Sequence, residues 1–441
     1  MSTEAHIITP DDHPITLEML DDDALFVMRK LNSAGFSSYL VGGGVRDLYL
    51  GKIPKDFDIS TDARPGQIRR LFSNSRTIGR RFRLVQVFFR NNKIIEVSTL
   101  RSLSEHDLDG PQAVLAPNNT YGSLAEDAQR RDISINALFF EIENQNIIDH
   151  VGGVADLERC VVRILGIPDQ RINRDPVRMM RVIRHSARND FVIDEPSWQA
   201  VCQSSAKLTL CPPSRLRDEL LKDLYSGVSV RWYELSVKTG IFPELFRNYK
   251  DLLTVKLPDG SLCRERLSSI FRTIDRLNNN AVASGKHRQP DYFLLAFILV
   301  PWAAITFDIT GRPFTGAQLF QLSKKIREAL DLSIGPALNL QRSARQEITT
   351  LLAQLPVFIQ HQHQQPWPKW LKRKSYFAQC RLLYLSYREA AEGTLVEDSH
   401  IISKQQEKTP VKPMRSRKGS KRKGGPAFSG KRGGGIFGFK R

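Results

Sequence analysis

The sequence predicts an α+β head with a small mixed sheet and helices, followed by an all-α neck and body and a disordered basic tail. Short apolar runs with strand character are concentrated before residue 165. Helical spacing of apolar residues dominates from there to about residue 400, and the end of the chain is rich in Lys, Arg and Gly. The predicted parts are a flexible arm at 1–20, the head at 21–165, the neck at 166–270, the body at 271–400 and the tail at 401–441.

The composition is that of an ordinary soluble protein with an excess of positive charge. The 441 residues include 65 Lys and Arg and 47 Asp and Glu, which gives a formal net charge of +18. Residues 404–441 contribute +12 of this charge, so the preceding 403 residues contribute +6. This imbalance predicts a polyanionic partner. The tail is too polar to form a core. It is expected either to bind this polyanionic partner or to be a solubilising segment without a partner.

Cysteine usage and hydropathy indicate a cytoplasmic protein. The five cysteines are odd in number and have no CxxC spacing, which argues against a disulfide framework or a zinc site. Residues 1–23 are acidic and lack the apolar core of a signal peptide. The most apolar run, 293–307, is too short to span a bilayer and contains Pro301. We expect it to form a buried helix with a break, and we expect no membrane partner.

The head is organised around residues 39–60, which read YLVGGGVRDLYLGKIPKDFDIS. A helix is predicted before them over residues 22–34, ending at Gly35. The stretch itself predicts a strand at 39–41, three glycines, a short helix and turn, and a second strand at 56–60.

Two parts of this stretch can carry chemistry. Glycines after a strand leave backbone N–H groups that a phosphate can approach, and the following helix start adds a positive dipole end. Strand alternation would place Asp56 and Asp58 on one face, about 7 Å apart. Adjacent carboxylates repel each other, so the pair predicts a cation, and oxygen ligands suit Mg²⁺. Each pattern by itself is also common in proteins where it has no such role.

Further elements follow in the head. A carboxylate in the middle of a strand is costly to bury, so Glu96 is either a third acidic group beside Asp56 and Asp58 or an outward-facing residue of an edge strand. Residues 102–119 have no periodicity and predict a mobile loop. The remaining predictions are a helix at 65–72, a hairpin of strands at 84–89 and 93–99, and a capping-box helix at 123–131. A strand and a turn within 147–153 and a last strand at 161–165 are predicted to close the sheet.

The neck and body are predicted from helical patterns. Asp175 and Pro176 are a good N-cap and first-turn residue for a helix on which Arg178, Arg181 and Arg188 fall near one face. Later amphipathic helices are predicted at 214–225, 228–240, 264–277, 316–332 and 345–354.

The motifs of the head resemble a known family. VGGGVRDLYLGKIPKDFDIS is similar to the signature of the template-independent nucleotidyltransferases that add nucleotides to RNA 3′ ends, the bacterial poly(A) polymerases and class II CCA-adding enzymes. EDAQRRDISINALFF resembles their second signature. The resemblance runs from residue 21 to residue 246.

The resemblance implies a role for each matching residue. Asp56 and Asp58 would hold Mg²⁺ and the nucleotide, Asp132 would count with the catalytic carboxylates, and Glu96 matches an acidic residue of the family. The residues implied in nucleotide binding are Gly43, Gly44, Arg46, Arg131, Asn136, Asp175 and Arg178, the last two reading the base.

Two further segments bear on the resemblance. Arg80, Arg81 and Arg83 of GRRFRL would contact triphosphate or RNA phosphates, the alternative being a solvated loop. Arg174 stands where the family usually has Glu, which affects the geometry of base selection.

The implied activity is nucleotidyl transfer. The RNA 3′-hydroxyl would attack the α-phosphate of ATP with release of pyrophosphate, and two Mg²⁺ ions would assist. GRRFRL and the basic tail favour poly(A) addition over CCA addition. RNA 3′ ends, ATP and RNA-decay proteins are the expected partners, and the tail would hold RNA phosphates with a steep salt dependence. An RNA-binding protein with an inactive head is a further alternative, against which the intact Asp-x-Asp argues.

Overall fold

The computed structural model of the chain describes residues 4–79, 83–102, 120–364 and 366–395. The predicted tail, the greater part of the loop at 102–119, and Arg80 and Arg81 therefore lie outside the described residues. The strands of the head are β1 (His6–Ile8), β2 (Ser38–Val41), β3 (Asp58–Thr61), β4 (Ser75–Ile78), β5 (Leu84–Phe88), β6 (Ile94–Thr99), β7 (Leu138–Phe140) and β8 (Ile147–Asp149).

These strands form one mixed sheet, as the sequence predicts. Their order is β1-β8-β7-β2-β3-β6-β5-β4. β3 and β6 are parallel, and the other neighbours in this order are antiparallel. The predicted hairpin of β5 and β6 is confirmed, and it turns through Asn91 and Asn92, both at φ of 59°. The head helices are α1 (Asp22–Ser33), α2 (Gly43–Tyr49), α3 (Pro65–Leu71), α4 (Leu124–Arg130) and α5 (Gly153–Glu158).

Helix starts in the head follow local sequence signals. The Asp21 carboxylate accepts hydrogen bonds from the backbone N–H groups of Asp23 and Ala24 and so caps α1. The predicted capping box of α4 is present, because Ser123 and Glu126 bond each other's backbone N–H groups.

In the described residues that follow the head sheet, the regular structure is helical except for two short parallel strands, β9 (Val161–Val162) and β10 (Val192–Ile193). The helices are α6 (Pro168–Arg174), α7 (Arg178–Asn189), α8 (Glu195–Ser204), α9 (Pro213–Leu224), α10 (Ser229–Lys238), α11 (Ile241–Leu245), α12 (Cys263–Ala283), α13 (Asp291–Ile298), α14 (Val300–Phe307), α15 (Gly316–Leu332), α16 (Ile334–Ala337), α17 (Arg342–Gln360), α18 (Lys369–Lys372) and α19 (Phe377–Glu392).

The apolar run at 293–307 forms the predicted buried helix with a break. It is divided between α13 and α14, with Pro301 in the first turn of α14, where its missing N–H is tolerated. Across the described ranges, no helix combines the length and the apolar character needed to cross a membrane. Most of the buried apolar residues from Ile8 to Ala390 pack into one continuous cluster, and a small second cluster contains Val41, Leu100, Ala128 and Phe139.

Two predictions about the head are wrong. Residues 4–20 are not a loose arm: β1 pairs with β8, and Ile15 and Leu20 are buried because they cover apolar surface of the sheet. The segment at 161–165 does not close the large sheet. Its strand β9 pairs instead with β10, which follows α7, because β1 already occupies the edge beside β8.

Candidate nucleotidyl-transfer site

Three central strands bring polar groups together at one end of the sheet. Val41, the last residue of β2, lies opposite Asp58, the first residue of β3. β3 runs parallel to β6, with Ile59 beside Val97. Asp58 and Glu96 each precede one of these paired residues and therefore project from the same face of adjacent strands. The glycine turn that follows β2 lies at the same end of these strands.

Asp58 is surrounded by negative charge. Asp58 is exposed as a residue, but its carboxylate is partly desolvated. This desolvation, followed by the nearby Glu96 and Asp56, raises the pKa of Asp58 to about 6, while Arg131 acts in the opposite direction. Two carboxylates that destabilise a third one indicate a cluster with too little positive charge. Among the described side chains, no group of three His, Cys, Asp or Glu residues is arranged to hold a metal ion.

The two aspartates do not share a strand as predicted. β3 begins at Asp58, so Asp56 lies in the extended segment before the strand and is exposed. Glu96 is not on an edge strand, because β6 lies between β3 and β5. Its carboxylate accepts a hydrogen bond of 3.0 Å from Gln86 Nε2 on the neighbouring strand. This bond orients Glu96 on the face that carries Asp58.

The glycines of the turn have different tasks. Gly42 has φ of 69° and ψ of −129°, a conformation that residues with a side chain rarely adopt, and a Cβ there would lie 3.4 Å from Arg131 Nη1. Gly44 is buried, and a Cβ there would lie 3.2 Å from Leu40 Cδ1. Gly43 is partly exposed. Gly42 therefore makes the turn, Gly44 allows close packing, and Gly43 offers accessible backbone.

Arg131 joins the glycine turn to the carboxylates. Its guanidinium donates to Asp127 Oδ2 at 3.0 Å, to the Asn136 carbonyl at 3.1 Å and to Ser60 Oγ at 3.4 Å. Its guanidinium carbon also lies 4.9 Å from the centre of the Phe139 ring. These contacts fix a positive charge beside Gly42, where it acts on Asp58.

Arg46 occupies a buried network and does not project freely toward the site. It donates to Asp47 Oδ1 at 2.9 and 2.7 Å, to Asn136 Oδ1 at 2.6 Å, and it contacts His185 Nδ1 at 3.1 Å. Asn136 Nδ2 lies 3.3 Å from His185 Nε2. The network ties α2 to Asn136 and to α7.

His185 is a residue of this network that the sequence patterns did not single out. Burial, followed by the positive charge of Arg46, holds the pKa of His185 well below its usual range, so the imidazole is neutral. The available signal was a histidine on α7, half-buried between the buried residues Arg184 and Ser186. That signal does not distinguish a core histidine from one with partners on another element.

Asp132 lies in a different electrostatic environment from Asp58. Burial alone would raise its pKa, but Arg181 and Arg178 hold the pKa of Asp132 well below its usual range. Asp132 Oδ2 accepts a hydrogen bond of 3.2 Å from Arg181 Nη1, and Oδ1 accepts one from the backbone N–H of Ile133. Asp132 is therefore neutralised by α7, whereas Asp58 is influenced by Glu96 and Asp56.

Asp175 does not cap α7 as predicted. That helix begins at Arg178, with Val177 in the N-cap position, and the Asp175 carboxylate accepts two hydrogen bonds of 2.8 Å from Arg215. Arg215 offers two charged donors, which are stronger than a backbone N–H group. Arg178 Nη1 donates to the Arg131 carbonyl at 3.1 Å, so the start of α7 is anchored to the second motif of the head.

Arg83, which precedes β5, is exposed. It belongs to a separate pocket of the head that also contains Arg64, Arg70 and Tyr121.

The fold is similar to that of solved CCA-adding enzymes. The crystal structure of the Bacillus stearothermophilus CCA-adding enzyme in complex with CTP matches with a TM-score of 0.59 and 22% identity, over 84% of this chain and 78% of that chain. A CCA-adding enzyme in complex with ATP matches with a TM-score of 0.57 and 19% identity, over 87% and 81% of the two chains. The chain thus has the architecture of the CCA-adding enzymes, a class of nucleotidyltransferases.

Sequence comparison gives the family. Residues 38–163 match the family described as the poly A polymerase head domain, and residues 190–253 match the probable RNA and SrmB-binding site of polymerase A. These two matches agree with the family resemblance that the motifs predict.

Relatives in this family carry two names. Poly(A) polymerase I of Escherichia coli O157:H7 is 41% identical over 54% of this chain and 53% of the relative, and that of Salmonella typhi is 37% identical over 67% and 63%. The CCA-adding enzyme of Lactobacillus johnsonii is 34% identical over 53% and 58%. The chain thus spans between about half and two thirds of the length of these relatives.

Proposed function

We propose that the chain is a template-independent polynucleotide adenylyltransferase, which transfers AMP from ATP to the 3′ end of RNA. The observation that carries the proposal is the cluster of Asp58, Glu96 and Asp56 beside the glycine turn, in which Asp58 has a raised pKa. The relatives named poly(A) polymerase I are 37–41% identical to the chain, against 34% for a CCA-adding enzyme, which favours adenylate as the transferred group.

The carboxylate cluster fits a divalent cation with oxygen ligands. Asp58 is destabilised by its acidic neighbours, and a bound cation would remove that destabilisation. We propose Asp56 and Asp58 as ligands of Mg²⁺, with Glu96 as a third acidic group. When bound, Mg²⁺ would neutralise phosphate charge and favour ionisation of the attacking hydroxyl.

The other residues bind and orient the substrates. Arg131 would contribute positive charge to the phosphates, because it is fixed beside Gly42 and already acts on Asp58. Gly43 would offer its backbone N–H to the same phosphates. Arg46 and Asn136, which we expected to touch the nucleotide, are better assigned to positioning the glycine turn against α7.

The start of α7 would contact the base. Asp175 is held by Arg215, and Arg178 is held by the Arg131 carbonyl. Because both side chains are fixed by partners, they can present donors and acceptors in one geometry, which is what selection of a base without a template requires. Asp132 would act by holding Arg181 and Arg178 in place.

The test is extension of two labelled RNAs with Mg²⁺ and ATP, CTP or both. One RNA is a generic oligomer with a 3′-hydroxyl, and the other is a tRNA lacking its terminal CCA. Long ladders on the generic RNA with ATP alone are expected. A stop after CCA, confined to the tRNA and requiring both nucleotides, would identify a CCA-adding enzyme. Failure to incorporate either nucleotide would indicate an RNA-binding protein with an inactive head.

A further inference from the structure

A cationic pocket lies on the head, away from the carboxylate cluster. It has a volume of about 460 Å³, and its lining includes Arg64, Gln67, Arg70, Arg83 and Tyr121. Arg64 follows β3 by three residues, whereas Asp58 begins that strand. With a rise of about 3.3 Å per residue, β3 spans roughly 10 Å, and the pocket and Asp58 lie at opposite ends of this strand.

The charge of the described lining is unbalanced. Arg64, Arg70 and Arg83 are exposed, and the described residues that line the pocket include no carboxylate. Within the described part of the chain, none of these three guanidinium groups forms an ion pair. Three free guanidinium groups around one pocket attract an anion, and the planar fork of arginine suits phosphate oxygens in particular.

The pocket also contains a rigid aromatic ring. The Tyr121 side chain is 42% exposed, and the guanidinium carbon of Arg64 lies 5.3 Å from the ring centre. Tyr121 forms an antiparallel bridge with Arg101, and Gly122 donates its N–H to the Leu100 carbonyl at 3.2 Å. A Cβ on Gly122 would lie 2.5 Å from the backbone nitrogen of Ser102. The segment carrying Tyr121 is thus held closely against the chain that follows β6.

We propose that this pocket is a binding subsite for single-stranded RNA. The three arginines would hold phosphates, and Tyr121 would stack on a base. This inference rests on the proposed function, because an RNA whose 3′ end lies at Asp58 would bring its upstream phosphates to the pocket. Proteins that bind single strands without sequence preference combine an open, positively charged surface with exposed aromatic rings. A free phosphate compound would use the arginines but would gain nothing from the ring.

The test is RNA binding by a pocket variant and a charge-matched control. The pocket variant is Arg64→Gln, Arg70→Gln and Arg83→Gln. The control is Arg29→Gln, Arg69→Gln and Arg76→Gln, which removes the same charge from exposed positions that do not line the pocket. Binding of a labelled single-stranded oligomer is measured over a range of salt concentrations in the Asp58→Asn background without Mg²⁺. This assay does not depend on catalysis, so its result is separate from that of the proposed function.

We expect the pocket variant to bind RNA at least about tenfold more weakly and to lower the salt slope by about 2, since each lost phosphate contact removes about 0.7. The control variant should retain its affinity within about twofold. Tyr121→Ala should weaken binding about fivefold to a hundredfold, whereas Tyr121→Phe should retain it. Thermal unfolding of each variant checks that the fold is kept.

Three results would overturn the proposal. Equal losses in the pocket variant and the control would indicate general charge attraction. Retained RNA affinity in the pocket variant, with lost binding of inorganic pyrophosphate, would indicate a site for a free phosphate compound. Equal affinity of the Tyr121→Ala and Tyr121→Phe variants would exclude stacking.

Discussion

Asp58 and Asp132 are both acidic residues of the predicted site, yet the structure gives them opposite surroundings. Asp58 faces Glu96 and Asp56, and its pKa is raised to about 6. Asp132 faces Arg181 and Arg178, and its pKa is held well below the usual range. Arg131 offsets the charge around Asp58 only in part, whereas two arginines hold Asp132 ionised. A carboxylate whose charge the folded chain compensates incompletely is the better candidate for a metal ligand.

The largest expected effect is on catalysis. Asp58→Asn should lower adenylate incorporation at least about 100-fold. The change removes a proposed ligand of the cation that would neutralise the phosphate group during its transfer. Steady-state incorporation of labelled ATP measures this effect, and circular dichroism checks the fold. Asp251→Asn, a change at an exposed aspartate distant in sequence, is the control and should retain activity. Near-normal activity of Asp58→Asn would remove Asp58 from the metal site.

Asp132→Asn should act mainly on stability. It removes one partner of a mostly buried charged hydrogen bond, which should lower the free energy of unfolding by about 2 kcal/mol. Because the folded pKa of Asp132 is lowered, its contribution is present above the unfolded value of about 3.9 and is lost as the pH falls toward the folded value. Urea unfolding at pH 7 and pH 2 measures the difference. An undiminished effect at pH 2 would contradict the ion-pair explanation.

Asp58→Asn should have the opposite effect on stability. A folded pKa raised to about 6 means that ionised Asp58 destabilises the fold above that pH and has no effect below about pH 4. The whole shift would correspond to about 3 kcal/mol, but solvent screening of an exposed side chain reduces the expected gain to about 1 kcal/mol.

This gain should appear in urea unfolding at pH 8 and should vanish at pH 4. Saturating Mg²⁺ at pH 8 should stabilise the native chain and cancel the advantage of the variant. If Mg²⁺ raised the stability of both proteins equally, the ion would bind elsewhere.

The smallest expected effect concerns Glu96. Glu96→Gln removes the charge that contributes most to the raised pKa of Asp58 after burial. The pKa of Asp58 should therefore fall, by less than about one unit because Asp56 and burial remain. A carboxyl titration followed by nuclear magnetic resonance measures the change. An unchanged pKa would show that the two side chains do not face each other in solution.

Much of the head was predictable because local signals and tertiary structure agree there. The capping box at Ser123, the hairpin of β5 and β6, and the break at Pro301 were all predicted correctly. The prediction for 4–20 was wrong because a short strand gains its stability from the edge it joins, and local sequence does not show that edge. The segment at 161–165 was misassigned for the same reason, since β9 pairs with a strand beyond α7.

In the candidate site, too, some features depend on local sequence and others on tertiary contacts. The sequence by itself determined the glycine turn, the Asp56 and Asp58 pair and the family resemblance, because these depend on residues close together in the chain. Only the tertiary structure decided that Asp132 faces Arg181, that Arg46 faces His185, and that Arg64, Arg83 and Tyr121 share a pocket. A carboxylate or guanidinium takes its pKa and its role from the nearest charges, and those charges come from elements distant in sequence.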